Sequence, residues 1–316
     1  MPTPFALALG VDLGGTKIEA VVVRPDPFVE VARLRVPTVR DDGYDAVLAR
    51  TEEAIRAVAR QAAIDLEEVS IGVGMPGSIR RADGTVKNSN TTCLNGRPFR
   101  EDLQTLLGRP IVFENDANCF ALAETLRGAG RPYAEGIVFG VILGTGVGGG
   151  IIVRGDVWEG AQGIAGEWGH HAVWAGREGA RLCYCGQRGC VEAYASGTAI
   201  EEDYARRSGR PRPVREIAER RGVDPHADEA IDSLLDALGR GLANVIDILD
   251  PSAVILGGGV SNLDFLPEEA LVRVQRYVFN DELATPILRN ELGDSAGVIG
   301  AALRGAARVA FEARAR

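Results

Sequence analysis

The sequence predicts an α/β fold built from two repeated halves, each opening with a hairpin of strands and continuing into alternating helices and strands. Three observations carry this. Apolar runs and helical periods follow the order β-β-β-α-β-α-β-α and then begin again near residue 136. A glycine-rich turn sits in the opening hairpin of each half, at Gly14 and Gly15 and again from Gly144 to Gly150. At 316 residues the chain is long for one core, which favours two domains with a central cleft.

Phe5 to Val11, Ile18 to Val23 and Val31 to Val36 are short runs rich in Val, Leu and Ala, separated by turn signals, and they predict three strands. From Tyr44 to Ala63 apolar residues recur at Val47, Leu48, Ile55, Val58 and Ala62, a helical period. Val69 to Gly74 reads as a buried strand, Phe99 to Leu107 as a helix, Ile111 to Phe113 as a strand and Asp116 to Arg127 as a helix. Gly136 to Leu143 and Gly148 to Val153 repeat the opening hairpin. A helix from Ala230 to Leu249, a strand from Ala253 to Leu256, and helices from Pro267 to Val278 and Ser295 to Ala313 complete the second half. Glu201 to Asp228, charged and proline-containing, is expected to be an irregular surface excursion. The expected division is a smaller α/β domain over 1–117 and a larger one over 118–296, with the helix at 297–316 packing back onto the first.

Composition narrows the function. A net charge of −9 argues against a nucleic-acid footprint, and the arginine-rich end from Arg304 to Arg316 is expected to be a solvated helix face. Gly136 to Val153 carries no charge over eighteen residues, but seven are glycine, which suits two buried strands and a turn better than a membrane span. Five cysteines, three of them clustered, give no disulfide framework and imply a reducing cytoplasm. Cys93 and Cys119 stand alone and are expected to be buried filler.

The chemistry lies in a few motifs. Asp12-Leu-Gly-Gly-Thr-Lys17 fills the first hairpin turn; Gly14 and Gly15 let backbone amides approach a phosphate, Thr16 and Lys17 add donors, and Asp12 can hold the shell of a Mg²⁺ ion. It is no Walker loop, because Thr16 precedes Lys17. Gly144-Thr145-Gly146 occupies the matching hairpin, so the two turns could grip one triphosphate from both sides. Gly257-Gly258, after a strand, could admit an adenine ring or be a plain turn. Gly77 ends the Gly74-Met-Pro-Gly-Ser78 turn, whose amides could read hydroxyl patterns. In Glu114-Asn-Asp-Ala-Asn118 either Asn115 or Asp116 could be a helix N-cap. Finally, His170 with Cys183-x-Cys185-x4-Cys190 supplies three thiolates and an imidazole, the ligand count of a structural zinc. A disulfide, which would leave one thiol over, and a glycine loop with incidental cysteines are the rival readings.

Taken together, G-E-W-G-H, C-Y-C-G-Q-R-G-C-V-E, D-L-G-G-T and E-N-D resemble the ROK family of bacterial sugar kinases over nearly the whole chain. The resemblance implies an actin-like ATPase fold of ribonuclease-H-like duplicated halves with a zinc-containing insertion. It implies His170, Cys183, Cys185 and Cys190 as zinc ligands, and Glu167, His170 and Glu192 facing the sugar. Asp116 becomes the general base, Asn115 a partner of a neighbouring sugar hydroxyl, and Gly257 and Gly258 adenosine contacts. ATP, Mg²⁺ and Zn²⁺ are the expected cofactors, a hexose the substrate and a homodimer the expected assembly, while His171 matches no family position. Val86 to Phe99 most resembles the fructokinase branch, so fructose is the expected substrate; glucose, mannose and N-acetylhexosamines are the alternatives. A sugar-responsive transcription regulator is the rival from another class, disfavoured because only eleven residues precede Asp12.

Overall fold

The computed structural model describes residues 5–174 and 176–314, in two compact units. Ala315 and Arg316, the end of the arginine-rich tail, lie outside the described residues.

Unit 1 holds the chain up to Ala123, Gly160–Gly163 and everything from Asp294. Its strands are β1 (Leu7–Leu13), β2 (Lys17–Arg24), β3 (Val29–Pro37), β4 (Val69–Met75), the short hairpin β5 (Ser78–Ile79) and β6 (Val86–Lys87), and β7 (Val112–Asn115). The five-stranded sheet runs β3-β2-β1-β4-β7, with β1, β4 and β7 parallel and the opening three strands antiparallel. Every residue of β4 is buried, as its position between β1 and β7 requires of a strand covered on both faces. Helix α1 (Tyr44–Gln61) buries Val47, Thr51, Ile55 and Val58, one stripe of the expected period. Helix α2 (Phe99–Leu107) ends at Gly108, whose φ of 69° is the left-handed stop that glycine takes without cost. Helix α3 (Asp116–Arg127) follows β7 directly.

Unit 2 repeats the plan. It contains β8 (Ile137–Leu143), β9 (Val147–Val153), β10 (Asp156–Val157), α4 (Glu192–Ala195), α5 (Gly197–Ser208), α6 (Val214–Ala218), α7 (Pro225–Leu249), β11 (Ala253–Gly257), α8 (Leu266–Val274) and β12 (Ile287–Arg289). Its sheet order, β10-β9-β8-β11-β12, is that of unit 1 strand for strand. The expected irregular stretch from Glu201 to Asp228 is instead helical, in α5, α6 and the start of α7. Ser196 caps α5 by accepting from Ala199 N–H, and Ile200, Tyr204 and Ile217 turn inward, so charge on the outer faces hid an amphipathic period. Helix α7 also starts earlier than the sequence suggested, because Asp224 caps it and Pro225 takes the first position, where no N–H is needed.

The last helix, α9 (Ala296–Arg314), belongs to unit 1 and lies against β1 and β4. It touches the sheet, and helix α3 at Cys119, backbone to backbone. A Cβ on Gly10 would lie 2.2 Å from Val298 O, one on Gly72 1.9 Å from Ala301 O, and one on Gly300 1.8 Å from Cys119 O. Gly10, in the middle of β1, therefore serves helix seating. No helix among the described residues is long and apolar enough to cross a membrane.

Candidate functional site

In unit 1 the β1–β2 turn is closed by Gly14 N–H donating to Lys17 O at 3.0 Å, and Thr38 Oγ1 donates to Gly14 O at 2.6 Å. Thr16 is exposed, and Lys17 Nζ lies 3.6 Å from Glu19 Oε2. Strand register places Glu19, Asp12, Gly74 and Glu114 in one row across β2, β1, β4 and β7. Glu19 is fully buried and neutralised by Arg33 and by Arg35, whose Nε is 3.0 Å away. Among the described residues no cation lies so close to Asp12: burial first, then the charges of Asp116 and Glu19, push its carboxyl up to about 7, against a smaller pull from Lys17. Gly297 gives the Asp12 carboxylate room at the start of α9, since a Cβ there would lie 2.8 Å from Asp12 Oδ2.

The E-N-D motif sits where β7 becomes α3. Asn115 Oδ1 accepts from Ala117 N–H at 2.9 Å and Asn118 N–H at 3.3 Å, so Asn115 is the cap and Asp116 the first helical residue. The Asn115 amide also donates to Gly77 O at 3.0 Å, tying the cap to the turn after β4. Gly77 has φ 83°, and a Cβ on it would lie 2.4 Å from Lys87 O, so only glycine fits. The structure thus gathers Asp12, Gly77, Asn115 and Asp116 at the ends of β1, β4 and β7.

Unit 2 carries the other predicted residues. Gly144 N–H donates to Gly146 O at 2.9 Å within the β8–β9 turn, and Gly144 O accepts from Gly197 N–H, at the start of α5, at 2.7 Å. Thr145 is exposed at the tip of this turn. Glu192 Oε2 accepts from Val147 N–H at 2.8 Å, so the carboxylate expected to face sugar also braces this turn. Gly258, with φ 83°, packs onto the end of β8, where a Cβ would lie 2.5 Å from Leu143 O; Gly257 is the last residue of β11. Glu167 is exposed in the turn before His170, while Trp168 is buried and donates to Gly148 O at 3.0 Å.

His170, Cys183, Cys185 and Cys190 present their ligand atoms within 4.8 Å of one another. His170 Nδ1 is 3.7 Å from Cys183 Sγ, and Cys185 Sγ is 3.7 Å from Cys190 Sγ. A tetrahedron with ~2.3 Å metal–sulfur legs has edges of about 3.8 Å, so this donor set fits a zinc-sized ion. All five cysteines are free, which excludes the disulfide reading. Gly186 and Gly189, at φ 88° and 81°, make the turns that return Cys190 to Cys185. Burial pushes the Cys190 thiol up to about 12, an environment a bound cation would reverse by favouring thiolate. The outer nitrogen of His170, Nε2, faces the Tyr184 hydroxyl at 3.2 Å, and His171 is exposed.

Sequence reasoning passed over Glu19, Glu114, Tyr184 and Arg304. Arg304 is the clearest correction: placed on a solvated face by composition, it is buried, and its Nε donates to Glu114 Oε2 at 2.9 Å.

Two units of the same strand order, each with a glycine turn in its opening hairpin, define a duplicated α/β protein with the actin-like ATPase fold. The chain belongs to the ROK family, whose family model matches residues 8–305. It is 38% identical over 306 residues to the N-acetyl-D-glucosamine kinase of Photobacterium profundum, covering 93% of this chain and 97% of that protein. Among solved structures it is similar to the ROK hexokinase from Thermus thermophilus, with a TM-score of 0.84, 34% identity and coverage of 98% of this chain and 100% of that one. It also resembles a ROK glucokinase from Streptomyces griseus in complex with glucose and AMPPNP, with a TM-score of 0.73, 31% identity and coverage of 94% and 98%. Fructose, the substrate expected from Val86 to Phe99, is named by none of these three. That stretch forms β6, a short turn and the approach to α2, held by the pairing of β6 with β5 and by bonds within the loop such as Ser89 N–H to Asn95 Oδ1 at 2.9 Å, so resemblance there reports loop packing as much as sugar choice.

Proposed function

We propose that this chain is an ATP-dependent hexosamine kinase that phosphorylates N-acetyl-D-glucosamine in preference to fructose. The observation that carries the choice of sugar is the 38% identity, over 93% of the chain, to an N-acetyl-D-glucosamine kinase. Glucose is the second reading, favoured by likeness to the glucokinase structure.

In this reading Asp116 accepts the proton of the sugar's primary hydroxyl as its oxygen attacks the γ-phosphorus, and ADP leaves. As the first residue of α3, Asp116 is held by a capped helix end, which supports a fixed aim. Asn115 already uses its oxygen as the cap and one amide hydrogen on Gly77, leaving one N–H for a sugar hydroxyl. Gly14, Gly15, Thr16 and Lys17 are the candidates for phosphates, Gly144, Thr145, Gly146, Gly257 and Gly258 for the nucleotide, and Glu167, His170 and Glu192 for the sugar. A Mg²⁺ ion carried in with ATP would screen phosphate charge, and Asp12, whose ionisation burial and Asp116 oppose, would hold its shell. Zinc at His170, Cys183, Cys185 and Cys190 would be structural, all four positions being protein ligands.

A coupled ADP-release assay across N-acetylglucosamine, N-acetylgalactosamine, N-acetylmannosamine, glucose, mannose and fructose tests the substrate. The highest kcat/KM should fall to N-acetylglucosamine; a higher value for fructose would return the assignment to that branch. Asp116→Asn keeps size and helix position while removing the proton acceptor, so kcat should fall roughly 10²–10⁴-fold with sugar binding retained. A folded Asp116→Asn protein turning over at the normal rate would take this residue out of the reaction.

A further inference from the structure

We propose that Glu114 and Arg304 form a positioning pair that sets the aim of Asp116, an inference that rests on the kinase reading above. Both side chains are 7% exposed, with Arg304 Nε 2.9 Å from Glu114 Oε2. The other carboxylate oxygen, Oε1, accepts from Asn115 N–H at 3.0 Å and from Asn118 Nδ2 at 2.9 Å. One carboxylate therefore grips the residue before Asp116 and a side chain half a turn after it, on a helix whose cap is Asn115 itself.

Arg304 fixes that carboxylate from outside the strand. It projects from α9, and α9 has little freedom to slide, because Gly10 and Gly72 bring helix and sheet to backbone contact, Gly300 brings α9 against the Cys119 backbone of α3, and Gly305 in turn meets Gly72 N at 2.8 Å from its Cβ position. A guanidinium on so firmly seated a helix holds one carboxylate oxygen, and the other oxygen holds the start of α3. A buried ion pair adds little net stability over an apolar pair of the same volume, so its use here is geometric. Displacement of a reacting group by about 1 Å can cost on the order of 10²-fold in rate, which sets the scale of what the pair protects.

The experiment compares wild type with Glu114→Gln and with the double variant Glu114→Gln/Arg304→Met, which leaves no ion buried alone and so stays testable where the single change does not fold. Thermal unfolding establishes that each is folded, and steady-state kinetics with N-acetylglucosamine and ATP separates kcat from KM. The pair's role requires kcat of a folded variant to fall roughly 10- to 100-fold with both KM values within about twofold. Folded variants with wild-type kcat overturn the proposal, as does a kcat loss matched by an equal rise in sugar KM, the mark of a collapsed pocket. A wild-type chain that turns over no sugar in the six-sugar assay removes the kinase reading itself, and the positioning role with it.

Discussion

Asp203 shows how a single buried charge is settled by its neighbours. It is 3% exposed on α5, ringed by Arg181 from the cysteine segment, whose Nη2 is 2.6 Å away, by Arg207 at 3.0 Å, and by Arg206. Burial alone would raise its carboxyl, but the charges of Arg181 and Arg207 and their hydrogen bonds outweigh it and hold the group below its usual 3.8. A carboxyl depressed on folding stabilises the native state above its unfolded value, and that contribution disappears as pH falls through the folded one. Asp203→Asn should therefore cost roughly 1–3 kcal/mol at pH 7, the arginines being partly exposed, and the deficit against wild type should shrink below about pH 4. Urea midpoints measured across that range check it, and a deficit independent of pH would assign the loss to packing. Residues of this kind were the least legible in the sequence. Arg304 falls three residues after Ala301 and seven after Gly297, on the stripe of α9 that meets the sheet, yet the surrounding arginines made it look solvated. Glu114 stood one residue from a recognised motif, but its partner lies 190 positions away, and no local pattern encodes that distance.

Among the elements, α9 is the one whose seat is made of absent side chains. Gly10 and Gly72 are register partners on β1 and β4, and both face the helix, so the sheet there is a smooth backbone surface. Gly72→Ala would put a methyl 1.9 Å from Ala301 O and should lower the unfolding free energy by about 3 kcal/mol, whereas Gly259→Ala, with nothing within 4 Å of the new Cβ, should change it by less than ~0.5 kcal/mol. Chemical denaturation of the two variants measures the contrast; equal stabilities would mean that α9 yields. The strands and the long helices were readable because their burial follows periods of two and 3.6, as in the buried stripe of α1. The segment from α5 to α6 was not, since its inward residues are few and its exposed faces carry most of the charge. Strand β12, three residues long, is too short to show a period at all.

At the scale of the molecule, the two units share a strand order but close their cores differently. Unit 2 folds the segment from Gly166 to Glu192 around four side chains that could hold a metal ion, and Trp168 and Val191, near its ends, enter the unit's main apolar cluster. Purified protein should carry about one zinc per chain, and stripping it with a chelator should lower the thermal midpoint. A Cys185→Ser protein that keeps full zinc and an unchanged midpoint would reject that ligand set. The duplication and the cysteine segment were visible in the sequence because each repeats or clusters locally. Which sugar is preferred was not, since it turns on one or two hydroxyl-sized contacts that loop likeness does not encode. Unit 1, by contrast, borrows its lid from the far end of the chain. Its strands are complete by Asn115, yet the face of β1 and β4 that α9 covers must wait for residues beyond Asp294. At roughly 5–20 residues per second, synthesis leaves that face open for on the order of 10–40 s. During translation the first half of this protein is thus a sheet without its cover, unable to settle the row that holds Asp12 and Glu114, and it matures only when the last helix arrives.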